Sequence, residues 1–229
     1  MNWQGKASID LFERIPLFAG LPRDALANLV GRMRVVRLAE REILFQKGDS
    51  GDALYVVAEG LIRIGVMAPD GRQVSYGLIR PGHLFGEIAV FDNGPRTADA
   101  SAITDSVLLS LGRANIHDFL TSHPAYALRL IGVLCQRMRG ADQLIEDLLF
   151  MTLPGRVAKH LLVLSDMQAG AVHTKTIRIS QQDLANQMAT SRESINRLFS
   201  KWEQAGVVAL WRGSVTIQDR EALETYMAE

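Results

Sequence analysis

Residues 179–208 read ISQQDLANQMATSRESINRLFSKWEQAGVV. Two stretches of helical apolar spacing flank a short polar turn, with Leu184, Ala185 and Met188 on the first and Ile195 and Leu198 on the second. Small residues at the crossing and apolar inner faces are the requirements of a helix-turn-helix. Ser191 is placed as the N-cap of the second helix, with Ser194 at the position that a capping box gives to Glu or Gln. Arg192, Glu193, Asn196 and Arg197 then share the outward face near its N-terminus, the part of such a helix that enters a major groove. Arginine grips guanine O6 and N7 bidentately, and glutamate accepts from cytosine N4. An acid at 193 would repel phosphate unless it meets a base, which argues against a merely electrostatic patch. On spacing alone, a solvent-exposed amphipathic helical hairpin fits as well.

Downstream, VVALWRGSVTI (207–217) reads as a hairpin about Arg212-Gly213, followed by a short acidic helix, and Arg212 is within reach of a phosphate. Local charge fits a polyanionic partner better than the total does. Lys and Arg number 25 against 25 Asp and Glu, so the chain is formally neutral. Between 156 and 212, however, Arg156, Lys159, Lys175, Arg178, Arg192, Arg197, Lys201 and Arg212 face only Asp166, Asp183, Glu193 and Glu203, a net +4. The tail from 213 carries −3 and masks it. With 229 residues, 48% hydrophobic and 22% charged, the chain is an ordinary globular one, large enough for one or two cores, and not disordered or collagen-like.

Upstream lies a long apolar-periodic segment from about Ala125 to Phe150. Ile131, Leu134, Met138, Ala141, Ile145 and Leu148 are spaced 3, 4, 3, 4, 3, the period of a coiled-coil seam, so a homodimer is expected through this helix. An ordinary core-facing helix is the alternative. Gly132 and Gly140 cost helix propensity but permit close approach of a neighbour. Leu153-Pro154-Gly155 is expected to break the helix, and another is expected over Arg156–Met167 with a loop through Gly170. Before the long helix, 35–112 is a series of short β-branched or alternating runs (VVRL, EILF, ALYVVAEGLIRIGVM, QVSYGLI, TADASAI, VLLSL) separated by glycine-bearing turns, APDGR at 68–72 reading as a hairpin tip. That spacing predicts an antiparallel β roll. Phe12, Ile15, Leu17 and Phe18 precede it, with Leu26, Leu29, Val30 and Met33, as short helices.

Within the β region, FGEIAVFDNGPRTADASA (85–102) gathers the groups that a ribose phosphate needs. Gly86, Glu87, Ile88 and Ala89 can present consecutive backbone N–H groups to an anion. Nine residues after Glu87 comes Arg96, whose guanidinium suits a phosphate, with the Thr97 hydroxyl beside it, while Glu87 can accept from a sugar hydroxyl. Taken singly, Glu87 and Arg96 read equally as a surface pair, and Thr97 as a plain strand residue.

In order and over nearly its whole length, the chain resembles the Crp/Fnr family of bacterial transcription regulators. Gly-Glu-Ile-Ala with the following Pro-Arg-Thr-Ala is similar to the phosphate-binding cassette of cyclic-nucleotide-binding domains. Ser-Arg-Glu-Ser-Ile-Asn-Arg is similar to the recognition helix of the cyclic-AMP receptor protein branch. The resemblance implies an α+β architecture: a cyclic-nucleotide-binding, jelly-roll-like antiparallel β roll over 1–124, a dimerisation helix and hinge over 125–152, and a winged helix-turn-helix over 153–229. It implies Glu87 on the ribose 2′-hydroxyl, Arg96 and Thr97 on the cyclic phosphate, and the Gly86–Ala89 amides completing the cradle. It further implies base reading by Arg192, Glu193 and Arg197 in palindromic double-stranded DNA with TGTGA-like half-sites, and RNA polymerase as a partner. Arg96→Ala would then abolish the ligand response and spare the fold.

Three departures carry weight. Ala141 and Asp142 stand where that branch has a Thr-Ser pair on the base of the ligand. A carboxylate there favours guanine, which offers N1–H and the 2-amino group side by side, and Arg96-Thr97 is also similar to the cassette of cyclic-GMP-selective kinases. The effector is therefore expected to be cyclic GMP or cyclic AMP. Ala189 replaces the usual glycine of the helix-turn-helix turn. The single Cys135 cannot supply an iron–sulfur cluster, and His83, His117, His123, His160 and His173 show no metal-ligand spacing. No metal, no haem, no iron–sulfur cluster and no enzymatic activity are expected, which sets aside a cupin-like metalloenzyme. The chain start lacks a basic-then-apolar leader and there is no window of about 18 apolar residues, so no membrane association and a cytoplasmic location are expected. A regulator of the family that answers to another ligand, or a ligand-binding interaction protein without DNA binding, are the alternatives.

Overall fold

A computed structural model describes residues 6–13, 15, 18–67, 73–168 and 176–228; Leu17, the expected 68–72 hairpin tip and the loop through Gly170 lie outside these. The chain divides into two compact units, 1–67 with 75–137 and 68–74 with 138–229.

The first unit opens with α1 (Lys6–Glu13) and α2 (Arg23–Gly31) and continues through β1 (Arg34–Leu38), β2 (Ile43–Phe45), β3 (Ala53–Glu59), β4 (Ile62–Met67), β5 (Gln73–Ile79), β6 (Leu84–Phe85), α3 (Glu87–Asp92), β7 (Asp99–Ala102), β8 (Ser106–Gly112) and α4 (Arg113–Ser122) to α5 (Pro124–Phe150), which passes into the second unit from Met138 on. The strands form two sheets, ordered β1-β8-β3-β6 and β2-β7-β4-β5. β8 lies antiparallel between β1 and β3, with Leu109 opposite both Val35 and Val56. Strand alternation sends neighbouring side chains to opposite faces, and here both faces are buried. Leu54, Val56, Ala58, Val107, Leu109 and Leu111 meet Phe12, Phe18 and Leu26 of the helical layer. Val57 and Leu108 meet Leu38, Ile62, Phe85, Ala100 and Ala102 between the sheets. Two-sided burial explains why VLLSL is apolar without alternation.

Tyr126 and Leu130 of α5 are buried against the helical layer, and Leu134 packs against it. Leu134, expected in the dimer seam, therefore turns partly onto the core of its own chain. The other large seam residues, Ile131, Met138, Ile145 and Leu148, are exposed, Met138 by 66%. Nothing lies within 4 Å of a Cβ built on Gly132 or Gly140.

The second unit contains α6 (Leu153–Gln168), β9 (Thr176–Arg178), α7 (Gln181–Gln187), α8 (Arg192–Gln204), β10 (Val208–Trp211), β11 (Ser214–Ile217) and α9 (Arg220–Ala228). Contrary to expectation, Leu153-Pro154-Gly155 does not break the helix but forms the first turn of α6; the break is at Met151-Thr152. Proline is tolerated in a first turn because no intrahelical partner awaits its N–H. Thr152 caps the turn, its Oγ1 accepting from the Gly155 amide at 3.2 Å. Lys159 ties α6 to the end of α5 through both carboxylate oxygens of Asp147, at 2.7 and 2.8 Å. The core joins Val157, Leu161, Ile177, Leu184, Ile195, Phe199, Trp202, Val215 and Leu223, under the antiparallel sheet β10-β11-β9.

The α7–α8 turn closes with Ala189 at φ 52° and a Thr190 N–H to Ala185 carbonyl bond of 3.0 Å, the pattern of a Schellman cap. Glycine is favoured there because a Cβ is strained in the left-handed region. Ala189→Gly is expected to stabilise the protein by about 0.5–1 kcal/mol, the strain relief being partly offset by the freer unfolded chain, as read by denaturant titration.

His160 of α6 has its pKa lowered, chiefly by burial, with a Gln187 hydrogen bond opposing. Its unfolded form takes up a proton near pH 6.5 whereas the folded form does not until lower pH, so its contribution is neutral above about pH 6.5 and destabilising as pH falls through that value. His160→Gln is expected to flatten the decline in melting temperature between about pH 7 and 5.5.

Candidate functional site

Two groups of side chains are assembled on these frames, one in each unit. In the first, β6 ends at Gly86, which takes φ 78° and starts α3. A Cβ there would meet Arg96 Nη1 at 2.8 Å, and one on Gly51 would lie 2.6 Å from the Ala89 Cβ and 2.8 Å from Arg96 Nε. These two glycines make room for Arg96. Its guanidinium is buried, the residue being only 4% exposed. Nη1 donates to the Gly86 carbonyl at 2.8 Å and Nη2 to the Ala53 carbonyl at 2.7 Å. Its carbon lies 4.2 Å from the Phe45 ring centre and 5.6 Å from that of Tyr55, and such a face-on cation gains from the ring quadrupole. Among the described residues, its buried Nε finds no hydrogen-bond partner. Burial raises the Tyr55 pKa while the Arg96 charge pulls it down.

Glu87 is 3% exposed and pairs with Arg137, which also donates to the Leu84 carbonyl. Arg113 reaches the carbonyls of Gly51 at 2.6 Å and Ala89 at 2.8 Å, and the side chain of Asn93. The sequence reading singled out neither arginine for this site. Arg137 was detectable, because it continues the Tyr126, Leu130, Leu134 face of α5 that turns to the core. Arg113 gives no comparable signal, since its partners are backbone carbonyls far away in sequence. Of the expected ligand residues, Gly86, Glu87, Ala89 and Arg96 come together here, with Ile88 and Thr97 exposed at the edge; Ala141 and Asp142 are exposed on the part of α5 that belongs to the second unit.

In the second unit, Ser191 caps α8, its Oγ accepting from the Ser194 amide at 3.2 Å. Ser194 replaces the usual capping-box acid with a hydroxyl pair, 3.0 Å from Ser191 Oγ, and receives a 3.3 Å bond from Arg197. Arg192, Glu193, Arg197 and Arg212 are exposed, whereas Asn196 is half-buried. The Asn196 Oδ1 lies below the surface and has no hydrogen-bond partner among the described residues. The Glu193 pKa is lowered by its own backbone amide first, then by the Ser191 hydroxyl and the nearby Arg192 and Arg197 charges. The acid is thus an ionised acceptor in an arginine setting.

Residues 35–123 match the cyclic nucleotide-binding domain family and residues 155–226 the Crp-like helix-turn-helix domain family. The chain belongs to the Crp/Fnr family of transcription regulators. It is 33% identical over 217 residues to the CRP-like cAMP-activated global transcriptional regulator of Mycobacterium tuberculosis, covering 93% of this chain and 97% of that one. It is 32% identical over 209 residues to the cyclic AMP receptor protein of Thermus thermophilus, covering 91% and 95%. Among solved structures, the Thermus thermophilus catabolite activator protein matches at TM-score 0.55 and 32% identity over 93% of this chain and 98% of that one. The c-di-GMP-responsive global regulator CLP of Xanthomonas campestris shares the fold at TM-score 0.76 and 23% identity, over 86% and 100%. The roll thus carries a domain of the cyclic nucleotide-binding family, and the second unit a domain of the Crp-like helix-turn-helix family. Among the described residues no helix is long and apolar enough to cross a membrane, and no group of His, Cys, Asp and Glu could hold a metal ion.

Proposed function

We propose that the chain is a cytoplasmic, homodimeric regulator whose binding to palindromic double-stranded DNA is controlled by a cyclic mononucleotide in the roll. The observation that carries this reading is the buried Arg96 with its unused Nε donor, in the same cassette as the buried Glu87. An anion entering the cassette would satisfy that donor, and a ribose hydroxyl would find Glu87. The named activities of the Mycobacterium tuberculosis and Thermus thermophilus relatives support cyclic AMP. Cyclic GMP is the second reading, because Asp142 aligns with the family's base-contacting position and guanine presents two adjacent donors to a carboxylate.

Arg137 supplies the coupling: it stands on α5 and holds Glu87, so a ligand that redistributes hydrogen bonds at Glu87 acts on the helix that carries the seam. Ligand then shifts the population toward the DNA-competent dimer only by as much as it binds that arrangement better. The two recognition helices would sit about one DNA turn (roughly 34 Å) apart. Arg192, Glu193 and Arg197 would read TGTGA-like half-sites, with RNA polymerase the downstream partner. The domain limits assigned from the sequence, 1–124, 125–152 and 153–229, are retained for this mechanism. Arg192→Ala is expected to cost about 1–3 kcal/mol of DNA affinity and to relax specificity at one base-pair position. Binding to a set of single-base operator variants tests this: an equal loss for every sequence would make Arg192 a phosphate contact.

A further inference from the structure

The last half of α5 has no core of its own. From Met138 to Phe150 every residue except Asp147 is exposed, and Phe150 at the end of the helix is 80% exposed. The helix that follows is firmly seated. Val157, Ala158 and Leu161 of α6 are fully buried, and α9 backs its first turn so closely that a Cβ on Gly155 would lie 2.9 Å from the Tyr226 carbonyl oxygen. Between the two helices lies the break at Met151-Thr152. Apolar packing therefore fixes α6 and does not fix the direction from which α5 enters it.

Asp147, one turn before the end of α5, is placed to do so. Its side chain is 17% exposed and takes both bonds of 2.7 and 2.8 Å from the Lys159 ammonium, which stands in the second turn of α6. Gln143 Nε2 donates to the same carboxylate at 3.0 Å and holds it from the α5 side. Each residue of the break brings two soft backbone dihedrals, and a charge-assisted contact that spans the break restrains them together.

We infer that the Asp147–Lys159 pair is the latch of the α5–α6 joint and that Lys159 is a positioning residue for ligand-controlled DNA binding. This rests on the regulator reading and deepens it. The coupling proposed through Arg137 ends on α5, whereas the recognition helix shares a core with α6 through Leu161, Phe199 and Trp202. With the latch closed, a change in the direction of α5 turns α6 and α8 with it. With the latch open, the joint absorbs the change in its own dihedrals, as a hinge does, and ligand binding no longer reaches the DNA.

The test reads the ligand response of the full-length protein: the ratio of its affinities for a palindromic duplex with and without saturating cyclic AMP or cyclic GMP, at fixed salt. The parent is compared with Lys159→Gln, Asp147→Asn and the double variant. Each single substitution is expected to cut the response about tenfold, while nucleotide affinity without DNA and DNA affinity without ligand stay parental. The double variant should lose no more than either single one, because the pair is broken only once. A parental response in both single variants overturns the inference. Losses that add in the double variant, or that fall equally on DNA affinity without ligand, overturn it in favour of separate structural roles. If the parent itself answers to neither nucleotide, the regulator reading fails, and chymotrypsin cleavage after Phe150 decides the latch. Faster cutting of Lys159→Gln than of the parent upholds it, and equal rates overturn it.

Discussion

Arg96→Lys is expected to weaken cyclic-nucleotide binding by about a hundredfold or more. A planar guanidinium can hold two backbone carbonyls and still present a further N–H to an anion; an ammonium on a flexible stem offers no fork. Hydrogen bonds involving charged groups are worth about 1.5–3 kcal/mol each, and two of them lost or misaligned account for the factor. The same geometry corrects the sequence-level expectation that removing Arg96 spares the fold. Arg96 satisfies the carbonyls of Gly86 and Ala53 from a buried position. Truncation to alanine would leave both short of a donor and open space over Phe45, at about 1–3 kcal/mol for each unsatisfied group. Lysine is the better probe, with a melting curve beside the calorimetric titration. Loss of affinity in a folded Arg96→Lys protein supports the assignment; parental affinity refutes it.

Ile145→Asp is expected to convert a stable dimer into monomer at micromolar concentration. Ile131, Met138, Ile145 and Leu148 remain exposed on α5 at the period of a two-stranded seam. Two copies in register would place the two substituted carboxylates close together in an apolar seam. An uncompensated buried charge costs about 3–5 kcal/mol, so dimer affinity should fall by at least about a hundredfold. Ile145 has no part in either core of its own chain, so the monomer should keep its fold. Sedimentation of the variant against the parent measures the effect, and loss of palindrome binding without loss of ligand binding should accompany it. An unchanged molecular mass would remove this face of α5 from the interface.

Much of the architecture was legible because it rests on periodicity. Alternation and turn glycines place the strands of the roll, and apolar spacing places both helices of the helix-turn-helix and its caps. What escaped depends on the third dimension. Leu134 fits the seam by number, yet Tyr126, Leu130 and Leu134 define a second face that packs on the roll, so a heptad count mixed two faces. Leu153-Pro154-Gly155 looked like a stop, but Thr152 caps the next helix and makes the same residues its beginning. Glu87 and Arg96 were visible in one short segment, whereas Arg113 and Arg137 act on that segment from 20 to 50 residues further along. Their role is set by carbonyl positions that no motif encodes. Ala189 shows the opposite limit: the turn keeps its left-handed geometry despite the missing glycine, because the Ala185–Thr190 bond and the helices on either side over-determine it.

The most direct test of the account is the affinity of the full-length protein for a palindromic duplex at fixed salt, measured without ligand and with saturating cyclic AMP or cyclic GMP. One nucleotide is expected to tighten DNA binding at least about tenfold, and DNA to tighten binding of that nucleotide by the same factor, as linkage requires. DNA affinity unchanged by either nucleotide would contradict it.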